Sequence, residues 1–247
     1  MEESTILILN SLAALLTAMV SAILGMGGGI TLLAVMVILL PVKTVVPLHG
    51  IIQLLSNSTR LFLFRKSIFW PHVGRFAATA LPCSLAGISL VKILDPASMR
   101  FLFGVFILFS LYVPIRKISS LSRITRSFYL AGALAGSISL VVGATGPIIA
   151  PFFLNKDLRK DQIIATKATC QALVHVLKIP LFGLVLSFQF QDYTWLLVCM
   201  GTAVIVGTWF GKQILSKYVS ERVFLLLYQA LLTIVGLRLV IVGWGSI

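Results

Sequence analysis

Long apolar runs, cut by short joints of glycine, proline and charge, fill nearly the whole chain. The pattern predicts helical segments near 5–24, 29–41, 44–64, 70–92 and 98–115. A basic linker follows with Arg116, Lys117, Arg123 and Arg126, and the runs then return near 127–142, 147–154, 162–187, 192–214 and 222–243. About 20 apolar residues rise far enough as a helix to cross a hydrocarbon layer of roughly 30 Å, and most of these runs come close to that length. Two are much shorter, and each is the second segment of its half.

The halves match when shifted by 118 residues: Leu12-Ala13 falls on Leu130-Ala131, Ser21 on Ser139, Gly25 on Gly143, Gly28 on Gly146, Gln53 on Gln171 and Phe64 on Phe182. A shift of 122 pairs Ser98 with Ser220 and Arg100 with Arg222. Leucine matches mean little in strings this apolar, so the glycine, glutamine and serine matches carry the inference of an internal repeat. The expected organisation is an N-terminal transmembrane repeat at 1–118, a basic cytoplasmic linker at 119–126 and a C-terminal repeat at 127–247.

Composition agrees with a lipid solvent, since 59% of the 247 residues are hydrophobic, 11% are charged and the mean hydropathy is +1.06. Lys and Arg outnumber Asp and Glu by 20 to 7. In a soluble protein that excess would suggest nucleic acid, but here the basic residues gather in the joints, where they act as topology signals. With the acidic N-terminus outside, the clusters at Arg65-Lys66, the linker, Lys156 to Lys160 and Lys212 to Arg222 all fall inside, and only Lys43, Lys92 and Arg100 fall in outside loops. Both termini are then expected outside the inner membrane, and the second half runs opposite to the first. The first run, from Ile6 to Leu24, is flanked by Glu2 and Glu3 rather than a basic stretch and recurs later, so it is read as mature structure rather than a signal peptide.

Gly25-Met26-Gly27-Gly28-Gly29 separates the first two segments, and Gly143-Ala144-Thr145-Gly146-Pro147 stands at the matching place. Proline is well placed in the first turn of a following helix, where no amide hydrogen is needed, so both strings read as helix-break-helix. The short segments after them predict broken or re-entrant hairpins, and irregular backbone at that depth requires cover from protein or a watery cavity. A helix beginning at such a break offers free amides and the positive end of its dipole, and two such ends would hold an anion. A blander reading gives the glycines only a packing role, as expected of Gly132 and Gly136.

The third segment of each half carries a polar stripe: His49, Gln53, Asn57 and Arg60 in one, Lys167, Gln171, His175 and Lys178 in the other. Spacings of four, four and three keep each set on one helical face. Such residues are costly against lipid, so the stripes are expected to face inward. Gln53 and Gln171, near mid-segment, suit hydrogen bonding to anionic oxygens. Arg60 and Lys178 supply positive charge or else snorkel to headgroups. His49 and Lys167 are expected at the interface, His175 either relays protons or bonds a neighbouring helix, and His72 is expected to be structural. The candidate substrate-binding set is therefore Gly27, Gly28, Gly29, Gln53, Asn57, Arg60, Thr145, Gly146, Pro147, Gln171, His175 and Lys178.

The two breaks, with Ile30 after the first and Pro151 after the second, and the two-half layout resemble the sulfite exporter TauE/SafE family of membrane transporters. The resemblance covers almost the whole chain. It implies export or uptake, by secondary transport, of a small sulfur-containing anion such as sulfite or sulfoacetate, or of a related carboxylate, with export the expected direction. Ala144 and Thr145 stand where a fully glycine-rich break would have glycine, and Thr145 brings a hydroxyl.

The fold class expected is thus an all-α membrane protein of two inverted repeats, about five helical segments each. The expected partners are a small anionic substrate, membrane lipids and, admissibly, a second copy in a homodimer, with no nucleic acid. No cofactor or metal is expected. Cys83, Cys170 and Cys199 lie inside apolar runs without C-x-x-C spacing. An enzyme is disfavoured because no H-E-x-x-H or G-x-S-x-G occurs and the acidic residues stand in joints. The rival readings are a passive anion channel and a membrane subunit without transport of its own.

Overall fold

The computed structural model describes residues 2–24, 27–112, 127–153, 158–218 and 221–246, with backbone alone at 20, 22–24, 160, 211–218 and 221–228. Gly25, Met26, the 119–126 linker and Lys156 lie outside the described residues. Among those described there is no strand, and ten α-helices follow in order. In the first half these are α1 (Glu3–Leu24), α2 (Gly28–Leu39), α3 (Val42–Leu63), α4 (Trp70–Ile93) and α5 (Pro96–Tyr112). In the second they are α6 (Phe128–Val142), α7 (Gly146–Phe153), α8 (Lys160–Pro180), α9 (Thr194–Tyr218) and α10 (Glu221–Trp244).

Boundaries depart from the expected segments where capping decides. Helix α5 starts earlier because Asp95 caps it, accepting the Ser98 amide at 2.8 Å and the Ser98 hydroxyl at 3.1 Å, with Pro96 in the first turn. At the end of α8, Pro180 cannot donate an amide hydrogen, and the chain continues as one π-helical stretch from Leu181 to Val185.

Among the described residues three stretches, Trp70–Ile93, Asp161–Val185 and Phe190–Phe210, are long and apolar enough to cross a membrane. Helices α2 and α7 are not: 12 and 8 residues rise only about 18 Å and about 12 Å. Neither is long enough by itself to cross a hydrocarbon layer of roughly 30 Å. The described surface is greasy, with Leu184, Ile93, Ile234 and Ile241 among the most exposed residues. All four tryptophans, Trp70, Trp195, Trp209 and Trp244, are 63% to 77% exposed, and three of them stand at helix ends, where amphipathic rings favour the headgroup level.

Packing is symmetric between the halves. The most extensive pairings are α4 with α6 and α1 with α9, followed by α5 with α10 and α3 with α8. Adding five to the helix number, cyclically, converts the first pairing into the second and returns each of the other two to itself. Small residues make these approaches possible. A Cβ on Gly132 or Gly136 of α6 would strike the Phe76 or Ala80 carbonyl of α4, and one on Gly207 of α9 would strike the Leu15 carbonyl of α1. Glycines 132 and 136 thus have the packing role expected of them.

Directions follow from which residues meet. Along α5 and α10, Phe101 lies by Gly243, Gly104 by Gly236 and Tyr112 by Thr233, whose hydroxyl is 2.7 Å from the tyrosine hydroxyl. Along α3 and α8, His49 meets His175, Gly50 meets Lys178 and Arg60 is near Lys167. One index rises as the other falls along α5 and α10, and again between the His49–His175 and Arg60–Lys167 meetings of α3 and α8, so each helix runs antiparallel to its counterpart.

Candidate functional site

Helix α2 begins against α1. A Cβ on Gly28 would collide with the Thr17 carbonyl and the Ser21 side chain, so only glycine permits the chain to turn back this closely after the break. The preceding residue, Gly27, has φ 95°, a left-handed conformation that favours glycine. At the second break the corresponding device is Gly143, with φ 81°, whose amide caps α6 by donating to the Ser139 carbonyl at 2.9 Å.

Each break joins the C-terminal end of one helix to the N-terminal start of the next, so a negative and a positive dipole end stand side by side. A basic residue from the third helix of the same half answers the negative end. Arg60 of α3 donates to the Ser21 hydroxyl, in the last turn of α1, at 2.6 Å, and approaches Ser56 at 3.5 Å. Lys178 of α8 donates to the Gly143 carbonyl, at the end of α6, at 2.5 Å. Neither side chain snorkels: Lys178 is fully buried, and Arg60 is turned inward onto α1.

The positive ends face amides. The Gln53 side chain lies where a Cβ on Gly29 would come within 3.0 Å of Oε1, and Gln171 Nε2 lies 3.6 Å from the same point on Gly146. The first amides of α2 and α7 have no partner within their own helix, and Pro147 removes one of them from α7. Gln53 and Gln171 therefore both stand beside a helix start, each half-buried, as are Gly27, Gly29, Gly146 and Pro147.

A buried polar chain connects the two breaks. His49 Nε2 is 2.8 Å from the Gly29 carbonyl, and its ring centroid is 6.1 Å from that of His175. His175 Nε2 lies 3.4 Å from Thr145 Oγ1, which accepts from Gln171 Nε2 at 3.2 Å. His49, Asn57, Thr145, His175 and Lys178 are all buried, and Asn57 donates to the Gln53 carbonyl of its own helix at 2.8 Å. Leu33 of α2 and Val46 of α3 pack onto Gly143, which holds the second break against the first half.

The expected interfacial place for His49 is thus corrected: it is wholly buried, because its ring satisfies a carbonyl at the first break. Ser21 and the Gly143 carbonyl were not singled out by sequence, although the match of Ser21 with Ser139 was a signal. His72 stacks on Phe128 at 3.9 Å, as a structural residue would. A cavity of about 490 Å³ opens away from the breaks, lined by Leu55, Phe190, Thr194, Val198 and Gly201 among others. No group of three or more His, Cys, Asp or Glu able to hold a metal occurs among the described residues.

No curated protein and no solved structure matches the chain. A family model described as sulfite exporter TauE/SafE matches residues 11–239, which takes in both breaks, both polar stripes and all ten helices in whole or part. The chain accordingly belongs to the sulfite exporter TauE/SafE family, whose members are membrane transporters rather than enzymes.

Proposed function

We propose that this protein is a secondary transporter that exports a small anion, sulfite or a sulfonate such as sulfoacetate, across the inner membrane. Its two halves, 1–118 and 127–247, are read as inverted repeats joined by the 119–126 linker, with both termini outside. Support for the inversion comes from the antiparallel courses of α3 against α8 and of α5 against α10. Support for the sidedness comes from the basic joints.

One observation carries the functional reading: each half sets an amide side chain beside the start of a short helix, while a basic side chain covers the end of the helix before it. The dipole end that repels an anion is neutralised, and the end that attracts one is left open. In this reading Gly27, Gly28, Gly29 and Gln53 hold the anion from one side, and Thr145, Gly146, Pro147 and Gln171 from the other. Asn57 and His175 support the amides, and Arg60 and Lys178 raise the local potential. An inside-negative membrane favours the exit of an anion by about 2.3 kcal/mol per charge per 100 mV.

Flux of labelled sulfite and sulfoacetate in proteoliposomes tests the proposal, with Gln53→Ala and Gln171→Ala compared against wild type. Each variant loses a hydrogen bond to a charged group, about 1.5–3 kcal/mol, so transport at low substrate falls roughly 10- to 150-fold. Equal rates in all three proteins would remove both glutamines from the site. Accumulation driven by an imposed ion gradient distinguishes a carrier from a channel.

A further inference from the structure

We infer that His49, His175 and Lys178 form a proton seat whose occupancy rises when an anion is bound at the breaks, so that one proton travels with each anion. The inference rests on the anion-transport reading above.

Hydrogen bonding defines the seat. A carbonyl oxygen only accepts, so His49 Nε2, at 2.8 Å from the Gly29 carbonyl, carries the hydrogen in the neutral ring. Nδ1 is then a bare lone pair, buried and without a hydrogen bond of its own, with the Gly143 backbone close beside the ring. His175 Nδ1 is likewise buried and unpartnered, while its Nε2 faces Thr145. Lys178 donates to the Gly143 carbonyl and lies within electrostatic reach of both imidazoles. A proton needs no cavity, and the Gly143 backbone beside the His49 ring offers an acceptor for the N–H that protonation creates.

Charge then couples the seat to the anion. The titratable groups on the surrounding helices are Lys43, His49 and Arg60 of α3, His72, Arg75, Cys83 and Lys92 of α4, and Arg100 of α5. Lys160, Asp161, Lys167, Cys170, His175 and Lys178 come from α8, Cys199, Lys212, Lys217 and Tyr218 from α9, Tyr112 from α5 and Tyr129 from α6, while α2, α6 and α7 bring no charged residue. All seven carboxylates stand in joints or in the first turn of a helix, so none is available at mid-helix as a counter-ion. With the site empty, a second positive charge beside Lys178 meets only repulsion. An anion between the helix starts supplies the missing negative charge. By linkage the effect is mutual: the anion favours the proton, and the proton favours the anion to the same degree.

The proton is taken from water on one side, forms an N–H bond at an imidazole Nδ1 and is released to water on the other. A doubly charged anion accompanied by one proton still carries one net negative charge, so the membrane potential continues to favour its exit.

The test uses the full chain in proteoliposomes with an internal pH dye, the membrane potential being clamped with potassium and valinomycin. Sulfoacetate and sulfite are each supplied at a pH above their last protonation in water, so that neither brings a proton of its own. The expected result is proton movement in the direction of the anion, with apparent affinity tightening about tenfold per unit fall in pH where the seat fills, as one linked proton requires. An imposed pH gradient should also concentrate the labelled anion. In His49→Gln and His175→Gln the number of protons moved per anion falls. Anion flux in wild type without proton movement, and with an affinity flat in pH, would overturn the inference and leave the transport reading standing. An unchanged proton-to-anion ratio in both variants overturns it too. Absence of flux for both anions sinks the transport reading, and the inference with it.

Discussion

The two breaks accomplish the same turn with different chemistry. The first is built of backbone: Gly27, Gly28 and Gly29 let α2 fold back onto α1, and His49 reaches across to the Gly29 carbonyl. The second has more side chain: Thr145 joins Gln171 to His175, and Lys178 rather than arginine covers the preceding helix end. Its short helix has 8 residues against 12. One half relies on close approach and the other on a hydrogen-bonded cluster, so damage to them should differ in kind.

The sharpest way to break that contrast is a single methyl group. At Gly28 a Cβ would stand 2.5 Å from the Ser21 Cβ and strike the Thr17 carbonyl, whereas at Gly146 its nearest neighbour is Gln171 Nε2 at 3.6 Å. Gly28→Ala is expected to cost about 1–3 kcal/mol and to abolish most transport, while Gly146→Ala keeps the wild-type unfolding midpoint. Thermal unfolding in detergent, paired with flux, checks both. Equal tolerance at the two sites would erase the distinction.

A smaller effect separates the basic residues. Lys178 is fully buried, with a carbonyl but no acid as partner, and Arg60 keeps some exposure and two hydroxyls. Lys178→Met removes a favourable charge at a helix end, up to about 2 kcal/mol, so transport should fall on the order of 30-fold. The unfolding midpoint should fall modestly, because relief of the desolvated charge offsets part of the lost bond to the Gly143 carbonyl. Arg60→Met should lower transport less. A midpoint that collapses in Lys178→Met would show that the ammonium holds the fold together.

Threonines at the two breaks sharpen the contrast further. Thr145→Val leaves Gln171 and His175 without their shared hydroxyl, at about 1–3 kcal/mol in stability. The Thr31 hydroxyl bonds only the Gly27 carbonyl of its own helix start, so Thr31→Val should cost about 1 kcal/mol or less. Chemical unfolding of the two variants side by side measures the difference.

The smallest effect lies away from both breaks. The Ser98 amide and hydroxyl hold the exposed Asp95 carboxyl below its ordinary value. The stabilisation is therefore present above the ordinary carboxylate value and is lost as pH falls through the lowered one. Asp95→Ala should lower the unfolding midpoint slightly at neutral pH and not at all in strong acid, with transport unaltered. A midpoint scan against pH tests this.

Helix positions were legible because apolar period and length dominate in a lipid solvent: Trp70–Ile93 and Phe128–Val142 fall within a residue of the segments expected at 70–92 and 127–142. Glycine and proline marked both breaks for the same reason, since they act locally. Partners were harder. His49 reads from its place near a helix start as interfacial, yet it belongs to a carbonyl 20 residues earlier in the chain. Arg60 offered charge but not direction, and its bond to Ser21 spans 39 residues. Such contacts depend on how α1, α2 and α3 stack, which no periodicity encodes. Which atoms touch the anion stays a proposal, tested by the glutamine variants.

The outward setting of all four tryptophans makes the protein a reporter of its own surroundings. None belongs to the polar cluster, so intrinsic fluorescence should be nearly blind to added anion. Brominated lipids in the bilayer should quench most of that emission instead. The same optical signal that fails as a binding assay would thus measure how deeply each end of the helical bundle sits among acyl chains.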